Sequence, residues 1–215
     1  MTPVATETLY GSSREKVMLA LTELAAERGY AETTIADIVE RSGVGEETFR
    51  TLFADKEACA VAAENAILSE VVASVSSSYL ADRAELDSAL LGVMSILELM
   101  ARKPSYAFFG YVGARQMSPP SVFSIYETGH KVLVAMLERG WEYAELAVPP
   151  RRAALAALGG AEAIVRREVV AGRAERLPRL LPDLVYAATV PFLGQDEALR
   201  LADRGRELLR DRPWS

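Results

Sequence analysis

Between Ser12 and Gly29 the apolar residues Val17, Ala20, Leu21, Leu24 and Ala25 recur every three or four positions, a spacing that gathers them on one helix face. Ser12 with Glu15 has capping-box spacing and predicts where that helix starts; Gly29 predicts where it stops, and residues 1–11 are expected to form a mobile arm. Thr34 with Asp37 repeats the capping pattern ahead of a short helix whose buried stripe is Ile35, Ile38 and Val39. After Gly43-Val44-Gly45 a third short helix carries Phe49, Leu52 and Phe53, and a fourth, long helix is predicted from Asp55-Lys56 to about Ser78.

Further along, long helical stretches alternate with short breaks. The pattern predicts helices at about 84–102, 105–116, 120–143, 151–173, 179–192 and 196–211, with Pro104, Pro119-Pro120, Pro149-Pro150, Pro178, Pro182 and Gly194 as the punctuation. No strand, internal repeat or low-complexity run stands out. The expected fold class is all-α, in two parts: residues 1–57 form an arm and a small three-helix unit, and residues 58–215 form a larger helical unit.

Two short amphipathic helices joined by a tight glycine turn, after a longer supporting helix, make a helix-turn-helix. Val17, Leu21, Leu24, Ile35, Ile38, Val39, Val44, Phe49 and Phe53 would supply its miniature core. The run from Arg14 to Glu57 resembles the TetR/AcrR family of bacterial transcriptional regulators. The similar pieces are Ala25-Ala26-Glu27-Arg28-Gly29-Tyr30, Thr33-Thr34-Ile35-Ala36-Asp37-Ile38, Ser42-Gly43-Val44, and Thr48-Phe49 with Phe53 and Asp55-Lys56-Glu57, in that order and spacing.

The resemblance implies a homodimer with an N-terminal domain on double-stranded operator DNA and a C-terminal domain that binds a small-molecule effector and dimerises through its last helices. It also implies DNA contacts from Thr33, Thr34, Gly45, Glu46, Glu47, Thr48, Arg50, Thr51 and Lys56. Within these, Thr34 and Lys56 would meet phosphates, and Glu46, Glu47, Arg50 and Thr51 would face the groove. Arg50 stands where the family usually has tyrosine, and Leu52 where it often has histidine.

Charge complicates the DNA chemistry. The chain carries a net charge of −6, whereas phosphate neutralisation supplies much of the affinity for DNA. Within residues 13–57 six cations (Arg14, Lys16, Arg28, Arg41, Arg50, Lys56) face ten acids (Glu15, Glu23, Glu27, Glu32, Asp37, Glu40, Glu46, Glu47, Asp55, Glu57), a net of −4. A glutamate in the groove can accept from cytosine N4 but is repelled by phosphate. The alternative reading is a helical interaction protein that keeps a helix-turn-helix fold with weak or lost DNA binding.

Aromatic and methionine residues concentrate between 94 and 143. A pocket for an apolar or aromatic molecule would draw on Met94, Tyr106, Phe109, Met117, Phe123, Tyr126 and Trp141, with Glu98 and His130 fixing orientation; ordinary core packing is the plainer reading of each. Ala153, Ala156, Ala157, Gly160 and Ala163 form a small-residue stripe, and 184–193 is almost wholly apolar. A helix apolar all round needs cover on several sides, so Ala153, Ala156, Gly160, Ala163, Tyr186 and Val190 are candidates for a dimer interface.

Several classes are disfavoured. A single cysteine, Cys59, cannot build an internal disulfide framework, and with a single histidine a zinc site is not expected. No phosphate loop, metal cluster, Ser/His/Asp spacing or Cys/His pair suggests an enzyme, and no cofactor is expected. No run approaches the roughly 18 uncharged apolar residues of a membrane span, and no signal peptide is visible. The expectation is a cytoplasmic, ligand-responsive DNA-binding regulator, most simply a repressor.

Overall fold

The computed structural model describes residues 3–79, 85–113, 127, 130, 131, 134, 151–210 and 212. All regular structure among them is helical: α1 (Pro3–Arg28), α2 (Ile35–Ser42), α3 (Glu46–Leu52), α4 (Lys56–Tyr79), α5 (Glu85–Arg102), α6 (Pro104–Phe108), α7 (Arg151–Val170) and α8 (Leu181–Arg210). A wider π-type turn, Phe109–Gly113, follows α6, and a 3₁₀ segment, Ala174–Leu180, precedes α8.

The first helix differs from expectation. Residues 1–11 were expected to form an arm and Ser12 a cap, yet α1 runs unbroken from Pro3 through Ser12. Proline is accommodated in a first turn, and Gly11 costs a helix interior only about 1 kcal/mol relative to alanine. The expected helix at 105–116 is instead the five residues of α6 and the π-type turn, where Gly110 and Gly113 weaken regular α geometry. The helix expected over 120–143 lies outside the described residues, apart from four helical positions. The two helices expected at 179–192 and 196–211 are joined in α8, broken at Gly194 with φ 74° and ψ 172°, a conformation open to glycine alone.

A main apolar core runs through the described helices, with a small second cluster of Val134, Ala154 and Leu158. Val17, Leu21 and Leu24 of α1 meet Ile38 of α2 and Phe49 of α3; the same cluster continues through Ala60, Ala63 and Ile67 of α4 to Met94 and Leu97 of α5, and on to Leu177, Leu181 and Leu201. Ile35 and Val39, expected in the core, are partly buried against it. Thus α4 starts at the helix-turn-helix and packs along α5, while α1 also touches α6, where the hydroxyls of Thr22 and Ser105 lie 3.4 Å apart. No run long and apolar enough for a membrane span was expected, yet among the described residues one window, Lys56–Ser76, reaches that length and composition. It carries Glu64 and Glu70, and its buried face packs within this core.

Candidate nucleic-acid interface

The geometry of α2 is set at its two ends. The Asp37 backbone N–H donates to the Thr34 hydroxyl at 3.2 Å, while the Thr34 N–H and hydroxyl donate to Asp37 Oδ2 at 2.8 and 2.5 Å. Arg28 adds an ion pair at 2.9 Å. The Thr34 hydroxyl, then its N–H and the Arg28 guanidinium, hold the Asp37 carboxyl down at about 2. At the far end Gly43 takes φ 65° and its N–H closes the last turn on the Val39 and Glu40 carbonyls. Thr34 was expected to offer its hydroxyl to a phosphate. That hydroxyl instead completes the cap.

Two phenylalanines orient α3. Phe49 and Phe53 are buried, their ring centroids 5.7 Å apart. Arg14 reaches across from α1, its guanidinium 4.5 Å over the Phe53 ring and donating to the Leu52 carbonyl at 3.3 Å. With that face pinned, the opposite one presents Glu46, Glu47, Arg50 and Thr51 to solvent, with Gly45 exposed ahead of them and Thr48 half-buried. Arg50 Nε and Nη2 both donate to Glu46 Oε1, at 3.1 and 2.7 Å, and the Thr51 hydroxyl donates to the Glu47 carbonyl at 2.9 Å.

Two other expected contacts are placed differently. Thr33 is fully buried and its hydroxyl donates to the Gly29 carbonyl at 2.9 Å, so it fastens the turn after α1 and offers no surface to DNA. Lys56 turns inward: its ammonium donates to the Tyr30 and Thr33 carbonyls and lies over the Tyr30 ring. Burial lowers its pKa. Where a Lys56–phosphate contact was expected, these two bonds tie α4 to the turn ahead of α2.

The remaining cations are largely committed as well. Arg41 pairs with Glu27 and Glu23 at 2.8 and 3.3 Å, and Arg28 with Asp37. Among the described residues of the helix-turn-helix, Lys16 alone forms no such tie. Sequence reasoning missed Arg14, Arg28 and Tyr30 as positioning groups. A charge count cannot show which charges the fold uses internally.

In the larger helical unit Met94 and Phe109 are fully buried in the shared core, and Tyr106 is half-buried beneath the Lys103 ammonium, 4.6 Å from its ring. Glu98, expected to orient a ligand, is buried and accepts from Arg212 at 2.6 Å, with Arg102 3.7 Å away. His130 lies 3.8 Å from Glu162 of α7. Both polar groups therefore face protein partners in this structure. Met117, Phe123, Tyr126 and Trp141 lie outside the described residues. Along α7, Ala156, Gly160 and Ala163 are exposed together with Leu155, and nothing lies within 4 Å of where a Gly160 side chain would begin. Tyr186 and Val190 of α8 are half-buried; the Ala153 side chain is outside the described set. Among the described residues no group of three or more His, Cys, Asp or Glu could hold a metal ion.

Comparison with known proteins agrees with this geometry. Residues 18–63 match the family model described as bacterial regulatory proteins, tetR family, a span that holds α2, α3 and the start of α4. No curated protein matches the chain in sequence. Among solved structures it is similar to the fatty acid degradation regulator FadR from Bacillus halodurans, at 19% identity and a TM-score of 0.67 over 79% of this chain and 94% of that one. It is similar to TylP, a tetR regulator from Streptomyces fradiae, at 17% identity and 0.65 over 94% and 97%. A gamma-butyrolactone receptor described as ArpA-like gives 18% and 0.64 over 93% and 98%. These likenesses establish the fold across nearly the whole chain, and the family match establishes the identity of its helix-turn-helix. Residues 18–63 thus carry the helix-turn-helix of the tetR family of bacterial regulatory proteins, in a chain whose fold is that of solved tetR regulators.

Proposed function

We propose that this chain is a cytoplasmic homodimeric repressor that lays α3 in the major groove of its operator and leaves it when a small apolar or aromatic molecule occupies the larger helical unit. The observation that carries the DNA half is the pinning of α3 by Phe49 and Phe53, which leaves Gly45, Glu46, Glu47, Thr48, Arg50 and Thr51 on or beside its outward face. Residues 1–57 would form the DNA-binding unit and residues 58–215 the effector and dimer unit. Continuity supports the coupling of the two halves: α4 belongs to both units, and α1 touches α6, so a shift among the effector-unit helices reaches the groove face.

An apolar effector fits the burial of Met94 and Phe109 and the half-burial of Tyr106. Two structurally similar proteins, a fatty acid degradation regulator and a gamma-butyrolactone receptor, point the same way. For the dimer, the exposed stripe of Leu155, Ala156, Gly160 and Ala163 gives a face on which a second helix can approach closely.

A second reading, a helix-turn-helix protein that has lost DNA affinity, draws on the internal pairing of Arg28, Arg41, Arg50 and Lys56. One titration tests the proposal, and failure to form any complex with duplex DNA at low salt favours the second reading. Compounds of the fatty-acyl, lactone and aromatic classes are screened by thermal shift, and those that stabilise the protein are added to its complex with duplex DNA. The proposal expects a stabilising compound to lower DNA affinity, since only differential binding to the two states can couple the sites. A compound that stabilises the protein and leaves DNA affinity unchanged contradicts it.

A further inference from the structure

The chemistry of Arg50 depends on what its neighbour on the helix leaves free. Glu46 and Arg50 stand one turn apart on the exposed face of α3, with side chains 60% and 64% accessible. A single carboxylate oxygen, Glu46 Oε1, accepts from both Nε and Nη2 of Arg50. A guanidinium has five N–H donors in a fixed plane. The pair uses two of them along its side edge. Of the three that remain, one on Nη1 and one on Nη2 point in parallel off the end of the fork, and the second on Nη1 points back beside Cδ.

Resting on the DNA-binding reading above, we propose that Glu46 is a positioning residue for sequence readout: it holds Arg50 so that the free end of the guanidinium reads the O6/N7 edge of a guanine. Two parallel donors match those two acceptors in the major groove. The alternative target, a phosphate, fits the pair less well. Glu46 neutralises the charge that would attract a phosphate and places a carboxylate close to it, whereas the guanine edge is a neutral acceptor pair that needs directed donors more than net charge. Holding a long side chain in place before contact also reduces the rotamer freedom lost on binding.

The test is selection of full-length protein on a pool of randomised duplexes, run for the wild type and for Arg50→Lys, Arg50→Ala, Glu46→Gln and Glu46→Ala. All four substitutions are at exposed positions, and circular dichroism confirms that each variant is folded. The wild type is expected to enrich guanine at one position of each half-site. Arg50→Ala loses that preference, with the affinity ratio between guanine and its replacements falling at least about fivefold, and Arg50→Lys, which keeps donors without the fixed fork, falls between. Glu46→Ala weakens the same preference at the same position while strengthening binding to duplexes substituted there, and Glu46→Gln, which keeps one acceptor oxygen, falls between. The proposal is overturned if Arg50→Ala keeps the wild-type base preferences, which marks a phosphate contact. It is also overturned if Glu46→Ala changes affinity by one factor for every sequence. If the wild type enriches no sequence, the DNA-binding reading fails and this assignment with it, an outcome distinct from both of the others.

Discussion

The ammonium of Lys56 lies 4.2 Å over the ring of Tyr30 and donates to the Tyr30 carbonyl at 2.9 Å. A second bond, 2.8 Å to the Thr33 carbonyl, completes the tie between the start of α4 and the turn ahead of α2. Replacing Lys56 by methionine keeps most of the stem and leaves two carbonyls without their donor, a loss of about 1–3 kcal/mol. The expected outcome is a melting temperature several degrees lower, with the salt dependence of DNA binding unchanged. A cation that neutralises a phosphate would instead flatten the slope of log affinity against log salt by about 0.9 on removal. Melting curves and anisotropy titrations of the one variant decide between these roles.

Glu64 is a different kind of buried group. It is 5% exposed on α4, and its Oε2 has no hydrogen-bond partner among the described residues. Burial raises its pKa from 4.5 to about 7. The folded state therefore binds this proton more tightly than the unfolded state does. Its contribution is fully present below about pH 4.5 and is lost as pH climbs through 7, a change on the order of 3 kcal/mol. Glu64→Gln removes the titration. The variant should gain stability over the wild type between pH 5 and pH 8, measured by urea unfolding at both pH values. Parallel losses in the two proteins would refute the assignment.

The small-residue stripe of α7 makes a prediction about assembly. Ala163 and Gly160 are exposed in the single chain, and space is open beyond Gly160. Ala163→Arg should therefore leave the protomer folded while placing a charge and a long side chain between two close helices. Sedimentation velocity is expected to show a dimer for the wild type and a monomer for the variant. A variant that stays dimeric with unchanged affinity places the interface elsewhere.

Much of the architecture was legible in the chain before any coordinates. The capping pair Thr34/Asp37, the glycine turn at 43–45 and the apolar anchors Phe49 and Phe53 are local signals, and each one is found in place. The first helix was misjudged because Ser12 and Glu15 have cap spacing with nothing local to show that the helix already runs through them. The contact residues were harder to read for a physical reason. Whether Thr33 faces water, whether Lys56 is free, or whether Arg50 is paired depends on carbonyls and carboxylates brought near by folding. For Lys56 the partners lie 26 and 23 positions away. Resemblance transfers a residue type to a position; it does not transfer that residue's hydrogen bonds.

The central claim is sequence-specific binding by a helix-turn-helix whose cations are mostly committed internally. Its most direct test is the affinity of the full-length protein for the duplex it selects from a random pool, measured by anisotropy over a range of salt and compared with an unselected duplex. With Lys16 and Arg50 as the uncommitted or outward cations of each protomer, the salt slope of a dimer should be no steeper than about −4. The selected duplex should bind at least roughly 100-fold more tightly than the unselected one. Equal binding of the two duplexes, or none at low salt, would contradict the account.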